Sequence, residues 1–96
     1  MNRVWITGGT VIDGSGAPGR PADVLIEDDR IARIAAPGGP VPDGAEVVDA
    51  AGMVVAPGFI DVMSHSVSTL LADGLSVGKV TQGVSTEIMG EGWTPA

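Results

Sequence analysis

The 96-residue sequence has no cysteine and no tyrosine. Without cysteine there is no disulfide staple, no thiolate nucleophile and no thiolate metal site. Aromatic residues are reduced to Trp5, Phe59 and Trp93. Positive charge is scarce as well: 5 Lys and Arg stand against 12 Asp and Glu, a formal net charge of -7. Nucleic acid and anionic membrane surfaces both select for clustered Lys and Arg, so neither is expected as a partner. No apolar run approaches the roughly 20 residues that a membrane span needs. The N-terminus, Met1 to Thr7, enters a strand-like run at once, without the apolar stretch and small-residue cleavage site of a secretory leader. The expectation is a soluble, cytoplasmic protein. Charged residues make up 18% and apolar ones 44%, so the composition is not that of a disordered chain. The length limits it to one small domain or part of a larger one.

What the chain does have is turn formers, 15 Gly and 7 Pro. These imply many short elements. Val4 to Thr7 and Thr10 to Asp13 are β-prone runs split by Gly8-Gly9, which reads as a hairpin or a bulged strand. Ala17 to Pro21 reads as a loop. Ala22 to Glu27 and Arg30 to Ala35 flank Asp28-Asp29, and the second run alternates polar and apolar residues, so this is the clearest hairpin. Ala36 to Gly44 reads as a surface loop, followed by short strands at Glu46 to Asp49 and Met53 to Ala56. After Pro57-Gly58 the pattern changes. Phe59 to Met63 is a strongly apolar run, consistent with a strand buried on both faces. Ser76 is positioned as the N-cap of a short helix over Val77 to Gln82 that Gly83 stops, and Val84 to Met89 follows as a second strand. Strand, helix, strand begins a β/α alternation and predicts a parallel pair. One parallel pair does not cover its own faces, so the sequence reads as the N-terminal piece of a longer protein.

Chemistry concentrates after residue 60. His65, the only histidine, follows the apolar strand, at the strand end where α/β folds collect catalytic groups. It suits a metal ligand, general base or anion binder, or a histidine bonded to nearby backbone. Asp61, Met63 and His65 are spaced by two and on a regular strand share a face. Asp61, between Ile60 and Val62, reads as a carboxylate orienting a ligand or accepting backbone N–H groups at a turn. Glu91 follows the second strand and is a candidate oxygen ligand or a solvated loop carboxylate. Gly14 to Gly19 lacks the Lys-Ser/Thr ending of a phosphate loop. One histidine and one nearby carboxylate fall short of the three or four ligands of a zinc site, so this piece alone is not expected to build a competent one.

Val55-Ala56-Pro57-Gly58-Phe59-Ile60-Asp61, followed closely by histidine, resembles the opening of the amidohydrolase superfamily, where Pro-Gly-Phe-Ile-Asp-x-His-x-His forms the first barrel strand. Gly8 to Gly14 and the hairpin around Asp28-Asp29 look like the small β-sandwich preceding that barrel. Val80 to Glu91 looks most like the N-acyl-D-amino-acid deacylases (D-aminoacylases). The resemblance covers essentially the whole chain. It implies an α/β fold with a β-rich N-terminus: residues 1–56 as part of a β-sandwich and 57–96 as the first β/α/β of a metal-dependent (β/α)₈ barrel. It implies hydrolysis of an N-acyl-D-amino acid, a small-molecule substrate, with Zn²⁺ at the barrel mouth. His65 falls on the second histidine of the motif and is the expected metal ligand, with Asp61 behind it. Met63 stands where the first histidine would be, and a thioether is a poor replacement for imidazole on Zn²⁺. Gly92 falls where deacylases can carry a metal-binding cysteine, with Glu91 as a substitute oxygen ligand. The catalytic Asp of the family is expected beyond residue 96. Another cyclic-amide hydrolase or deaminase, and a non-catalytic scaffold that has lost its metal, are the alternatives.

Overall fold

The computed structural model describes residues 1–64 and 71–89. The chain divides into two compact units, Met1–Pro57 and Gly58–Ala96.

The first unit is a five-stranded sheet built from β1 (Arg3–Val11), β2 (Arg20–Glu27), β3 (Arg30–Ala35), β4 (Glu46–Asp49) and β5 (Val54–Val55). The order is β3-β2-β1-β4, with β5 also on β1. β1 and β2 are antiparallel, as are β2 and β3, so the hairpin at Asp28-Asp29 forms as expected. The turn is tied down because Asp28 N–H donates to the Asn2 carbonyl (2.8 Å) while Asn2 N–H donates to Asp28 Oδ1 (2.9 Å). β4 and β5 run parallel to β1 at successive positions along it, Val4–Thr7 and then Thr10–Val11. β2 starts at Arg20, two residues earlier than the sequence suggests, and its Pro21 sits near the strand start, where a missing N–H costs little.

Gly8-Gly9 does not open a hairpin. β1 continues through it as one strand with a bulge, because Thr7 and Gly8 together oppose Asp23 of β2. Gly8 takes φ +82°, a left-handed conformation that suits glycine. Asp23 is 1% exposed and fills the bulge. Its Oδ1 accepts from Thr7 Oγ1 (3.0 Å) and Gly8 N–H (3.1 Å), and its Oδ2 accepts from Gly38 N–H (3.1 Å). One buried carboxylate thereby joins the bulge to the 36–44 loop.

The alternating pattern sorts the side chains. Val11, Ala22 and Val24 form a buried cluster, with Ile6, Ile26 and Val55 packed against it. Trp5 and Leu25, which pair across β1 and β2, are also buried, and the Arg33 guanidinium lies 5.8 Å from the Trp5 ring centroid. Ile31 and Ile34 stay exposed and line an apolar groove of about 200 Å³ with Ile6, Val24, Ile26 and Val55.

The second unit contains β6 (Phe59–Ser64), helix α1 (Val77–Val80) and β7 (Val84–Met89). β6 and β7 are parallel, as the β/α alternation predicts. The helix is shorter than expected. Ser76 does not cap it: its backbone is left-handed (φ 46°, ψ 50°) and its side chain makes no cap hydrogen bond. The backbone N–H groups of Lys79 and Val80 bond the Ser76 carbonyl instead, and Gly83 at φ +85° ends the segment.

Two irregularities mark the strand pair. Phe59 pairs with Val84 but Ile60 pairs with Thr86, so Ser85 is an extra residue on β7. Asp61 pairs with Glu87 and Ser64 with Met89, three steps on β6 against two on β7, so β6 carries an extra residue in turn. The Ser85 bulge explains the glycine of the Pro-Gly-Phe-Ile-Asp run. A Cβ on Gly58 would lie 2.6 Å from Ser85 Cβ and overlap its hydroxyl, so only glycine lets Ser85 sit there. Phe59, Ile60, Val62 and Ile88 are exposed, whereas the apolar run of Phe59 to Met63 suggested a strand buried on both faces: among the described residues nothing packs over them.

Candidate active site

Among the sequence-derived site residues, Asp61 is the one the structure describes; His65 and Glu91 lie outside the described residues. Asp61 sits in the middle of β6 and pairs in register with Glu87 of β7. Two carboxylates directly opposite on adjacent strands repel one another. Lys79 of α1 answers this. Its Nζ donates to Asp61 Oδ2 at 2.5 Å and lies 3.9 Å from Glu87 Oε1. The Glu87 side chain is 10% exposed, Asp61 25% and Lys79 36%, so the ion pairs are partly shielded from solvent. The hydrogen bond to Asp61 holds the Lys79 ammonium above its ordinary value, partial burial works against it, and the charges of Asp61 and Glu87 add to the rise. Lys79 is therefore charged throughout the neutral range.

The β6 bulge matters for the spacing argument. Asp61, Met63 and His65 share a face only on a regular strand, and the extra residue between Asp61 and Ser64 interrupts the period of two. Asp61 itself reaches the helix that crosses between the strands.

Sequence reasoning passed over Lys79. The signal was present: it is the only lysine in the chain, and the only Lys or Arg after Arg33. A lone cation in a strongly acidic segment tends to have a carboxylate partner.

Beside this cluster, Gly74, Ser76, Lys79, Val84, Thr86 and Glu87 help line an open cavity of about 260 Å³. Among the described residues, no three His, Cys, Asp or Glu side chains come together as a metal site. The two facing carboxylates hold an ammonium, and its charge opposes a divalent ion at the same oxygens. The described residues thus do not by themselves fit a zinc ion.

The chain is similar to D-aminoacylase from Alcaligenes xylosoxydans xylosoxydans, 46% identical over 87 residues, covering 88% of this chain and 17% of that protein. It is 40% identical over 89 residues to N-acyl-D-aspartate deacylase from the same organism, again 88% of this chain and 17% of the relative. Among solved structures, it superposes on N-acyl-D-glutamate deacylase from Bordetella bronchiseptica, complexed with zinc and a phosphonate mimic of the tetrahedral intermediate, with a TM-score of 0.85 and 40% identity over 96% of this chain and 19% of that one. No protein-family model matches. The chain spans 17% of the length of the two curated relatives.

Proposed function

We propose that this chain, whose homologues are the D-aminoacylases and N-acyl-D-amino-acid deacylases of the amidohydrolases and which matches their N-terminal region, serves in an enzyme that deacylates N-acyl-D-amino acids. The reaction is hydrolysis: water adds its oxygen to the acyl carbon and a proton to the nitrogen, and the C–N bond breaks to leave a carboxylate and a D-amino acid. The observation that carries the proposal is the TM-score of 0.85 at 40% identity to the zinc-bound N-acyl-D-glutamate deacylase.

The β-rich unit is read as part of a β-sandwich and the β6–α1–β7 unit as the opening of a (β/α)₈ barrel, whose catalytic groups gather at the C-terminal strand ends. A bound zinc ion would lower the pKa of a water and polarise the scissile carbonyl. Within this reading His65 is a zinc ligand, Glu91 an oxygen ligand and Asp61 a support, with the remaining ligands and the catalytic Asp further along the chain. Because Met63 occupies a motif histidine position, the whole protein is expected to hold its metal with one imidazole fewer than the family motif provides.

The test is the whole, zinc-loaded protein assayed against matched N-acetyl-D- and N-acetyl-L-amino acids, with zinc counted per chain. Release of acetate from D-substrates, lost with zinc removal and with His65→Ala, is expected. No D-selective hydrolysis by a protein that retains stoichiometric zinc overturns the reading.

A further inference from the structure

We propose that Asp43 is a site of spontaneous modification: in the folded protein it closes on the Gly44 nitrogen to a succinimide and reopens in part as an isoaspartyl linkage, ahead of the other two Asp-Gly pairs of the chain. The proposal does not rest on the deacylase reading, and its test needs no substrate.

The three pairs are Asp13-Gly14, Asp43-Gly44 and Asp73-Gly74. The step is internal. The backbone nitrogen of the glycine attacks the side-chain carboxyl carbon, Cγ. A C–N bond forms, the Cγ–O bond breaks, and the hydroxyl of the neutral carboxyl leaves as water with the amide proton. Water then adds to one of the two ring carbonyls. Opening at Cγ restores aspartate. Opening at the main-chain carbonyl leaves the backbone running through Cγ, one methylene longer, with a free α-carboxylate. Glycine has no Cβ to obstruct the attack. Because the neutral carboxyl is the electrophile, any donor that stabilises the carboxylate holds the step back.

The structure separates the three pairs. Asp13 Oδ1 accepts from the Ser15 backbone N–H (2.9 Å) and hydroxyl (2.5 Å), and its Oδ2 accepts from Arg20 Nη1 (3.3 Å). Asp73 Oδ1 accepts from the Leu75 N–H (3.1 Å), and its main-chain carbonyl accepts from the Ser76 N–H (3.3 Å). Asp43 is exposed, and among the described residues no donor reaches its carboxylate. Its peptide also has room to turn. Asp43 and Gly44 are the central pair of a turn closed by the Ala45 N–H on the Pro42 carbonyl (3.2 Å). Gly44 takes φ +73°, and a Cβ placed on it would meet nothing within 4 Å, so the Asp43–Gly44 peptide can rotate toward Cγ without a clash. The bond across that peptide, from Arg3 Nη1 to the Asp43 carbonyl (3.1 Å), is exposed, and the same guanidinium is shared with Glu27. The added methylene would enter just ahead of β4, whose first residue, Glu46, pairs with Val4.

For the experiment the whole protein is aged in warm, mildly acidic buffer, both native and unfolded in guanidinium chloride, and then cut after glutamate. Cuts at Glu27, Glu46 and Glu87 place Asp13, Asp43 and Asp73 in separate peptides, within residues 1–27, 28–46 and 47–87. Isoaspartate is counted by methyl transfer from an L-isoaspartyl methyltransferase and located by electron-transfer fragmentation. The unfolded sample supplies the intrinsic rate of each pair. The native-to-unfolded ratio is expected to be severalfold higher in 28–46 than in either other peptide. Asp43→Glu, whose carboxyl would have to close a larger ring, is expected to abolish the 28–46 signal, which also separates Asp43 from Asp28 and Asp29. The double variant Ser15→Ala with Arg20→Gln strips two donors from Asp13 and is expected to raise the 1–27 ratio severalfold. The proposal is overturned if the native protein forms no isoaspartate in 28–46, if that peptide ranks below either of the others, or if its signal survives Asp43→Glu. No rise in the double variant refutes the shielding by donors on which the ranking rests.

Discussion

Asp23 offers the sharpest test of how the first unit is held together. It is 1% exposed, and three donors converge on it: Thr7 Oγ1, Gly8 N–H and Gly38 N–H. Asp23→Ala strands all three. A buried donor left without a partner costs about 1–3 kcal/mol, so the expected loss is about 3–5 kcal/mol once the Thr7 hydroxyl rotates to another acceptor. That is a large part of the roughly 5–15 kcal/mol that stabilises a typical domain. Asp23→Asn separates the contributions. Its side-chain oxygen can still serve Thr7 and Gly8, but its amide N–H₂ faces the Gly38 N–H, donor against donor. The expected cost is about 1–3 kcal/mol, smaller than for alanine. The assay is equilibrium urea unfolding followed by Trp5 fluorescence in a Trp93→Phe background, since Trp5 is buried in the same unit. A loss below about 0.5 kcal/mol for Asp23→Ala, or an asparagine variant less stable than the alanine one, refutes the account of this carboxylate as the joint between bulge and loop.

The Asp13 carboxylate is lowered from 3.8 to about 2, first by the Ser15 hydroxyl and backbone N–H and then by Arg20. A depressed carboxylate contributes above its unfolded value and loses that contribution as pH falls through the folded one, so its effect is constant above about pH 4 and fades toward pH 2. An NMR titration of Asp13 with a midpoint near 4 contradicts this, and Asp13→Asn is expected to flatten the acid limb of stability over the same window. Lys79 runs the other way: with its ammonium favoured in the folded state, its contribution is complete below about pH 10.5 and is lost as pH climbs beyond the raised value. Gly58→Ala should destabilise the whole protein by about 1–3 kcal/mol in thermal unfolding, and Ser85→Gly in the same chain should recover most of it by vacating the space. A peptide of residues 58–96, with Phe59, Ile60, Val62 and Ile88 exposed, should give a collapsed-range NMR spectrum without amide dispersion; a dispersed spectrum shows that the strand pair is stable without cover.

The local parts of this fold were legible because they rest on local rules. Arg30 to Ala35 alternates, Asp28-Asp29 supplies a turn, and the hairpin follows. Val84 to Met89 after a short helix gives a parallel partner for Phe59 to Ser64. The placement of β4 and β5 in line along β1 was not legible, because nothing in Glu46 to Val55 says which strand they join. Asp23 reads in sequence as the polar member of an amphipathic strand. Its burial depends on a bulge sixteen residues earlier and a loop fifteen residues later. Ser76 has the right residue type for an N-cap, but its left-handed backbone aims the side chain away from that role. At the candidate site, His65, Asp61 and Glu91 were read from strand ends and motif spacing. Lys79 was missed because its partners lie eighteen residues before it and eight after, and only the crossover brings them together.

The two irregularities of the β6–β7 pair have a consequence for how such chains diverge. β7 steps one residue out of phase at Ser85, and β6 steps back before Ser64, so the rungs on either side, Phe59–Val84 and Ser64–Met89, keep the same offset. Between them Ile60 and Asp61 form a short dislocation, bounded at both ends like a slipped segment in a crystal. A single-residue deletion on either strand would leave the slip unclosed and turn every following side chain to the opposite face. Loss of one residue from each strand together would heal it and leave the flanking rungs in step. Gaps between relatives in this region should therefore occur in matched pairs, one near Ser85 and one between Asp61 and Ser64. A relative that has closed the slip in this way still sets the positions of Asp61 and Glu87 opposite one another, now as one rung of a regular ladder.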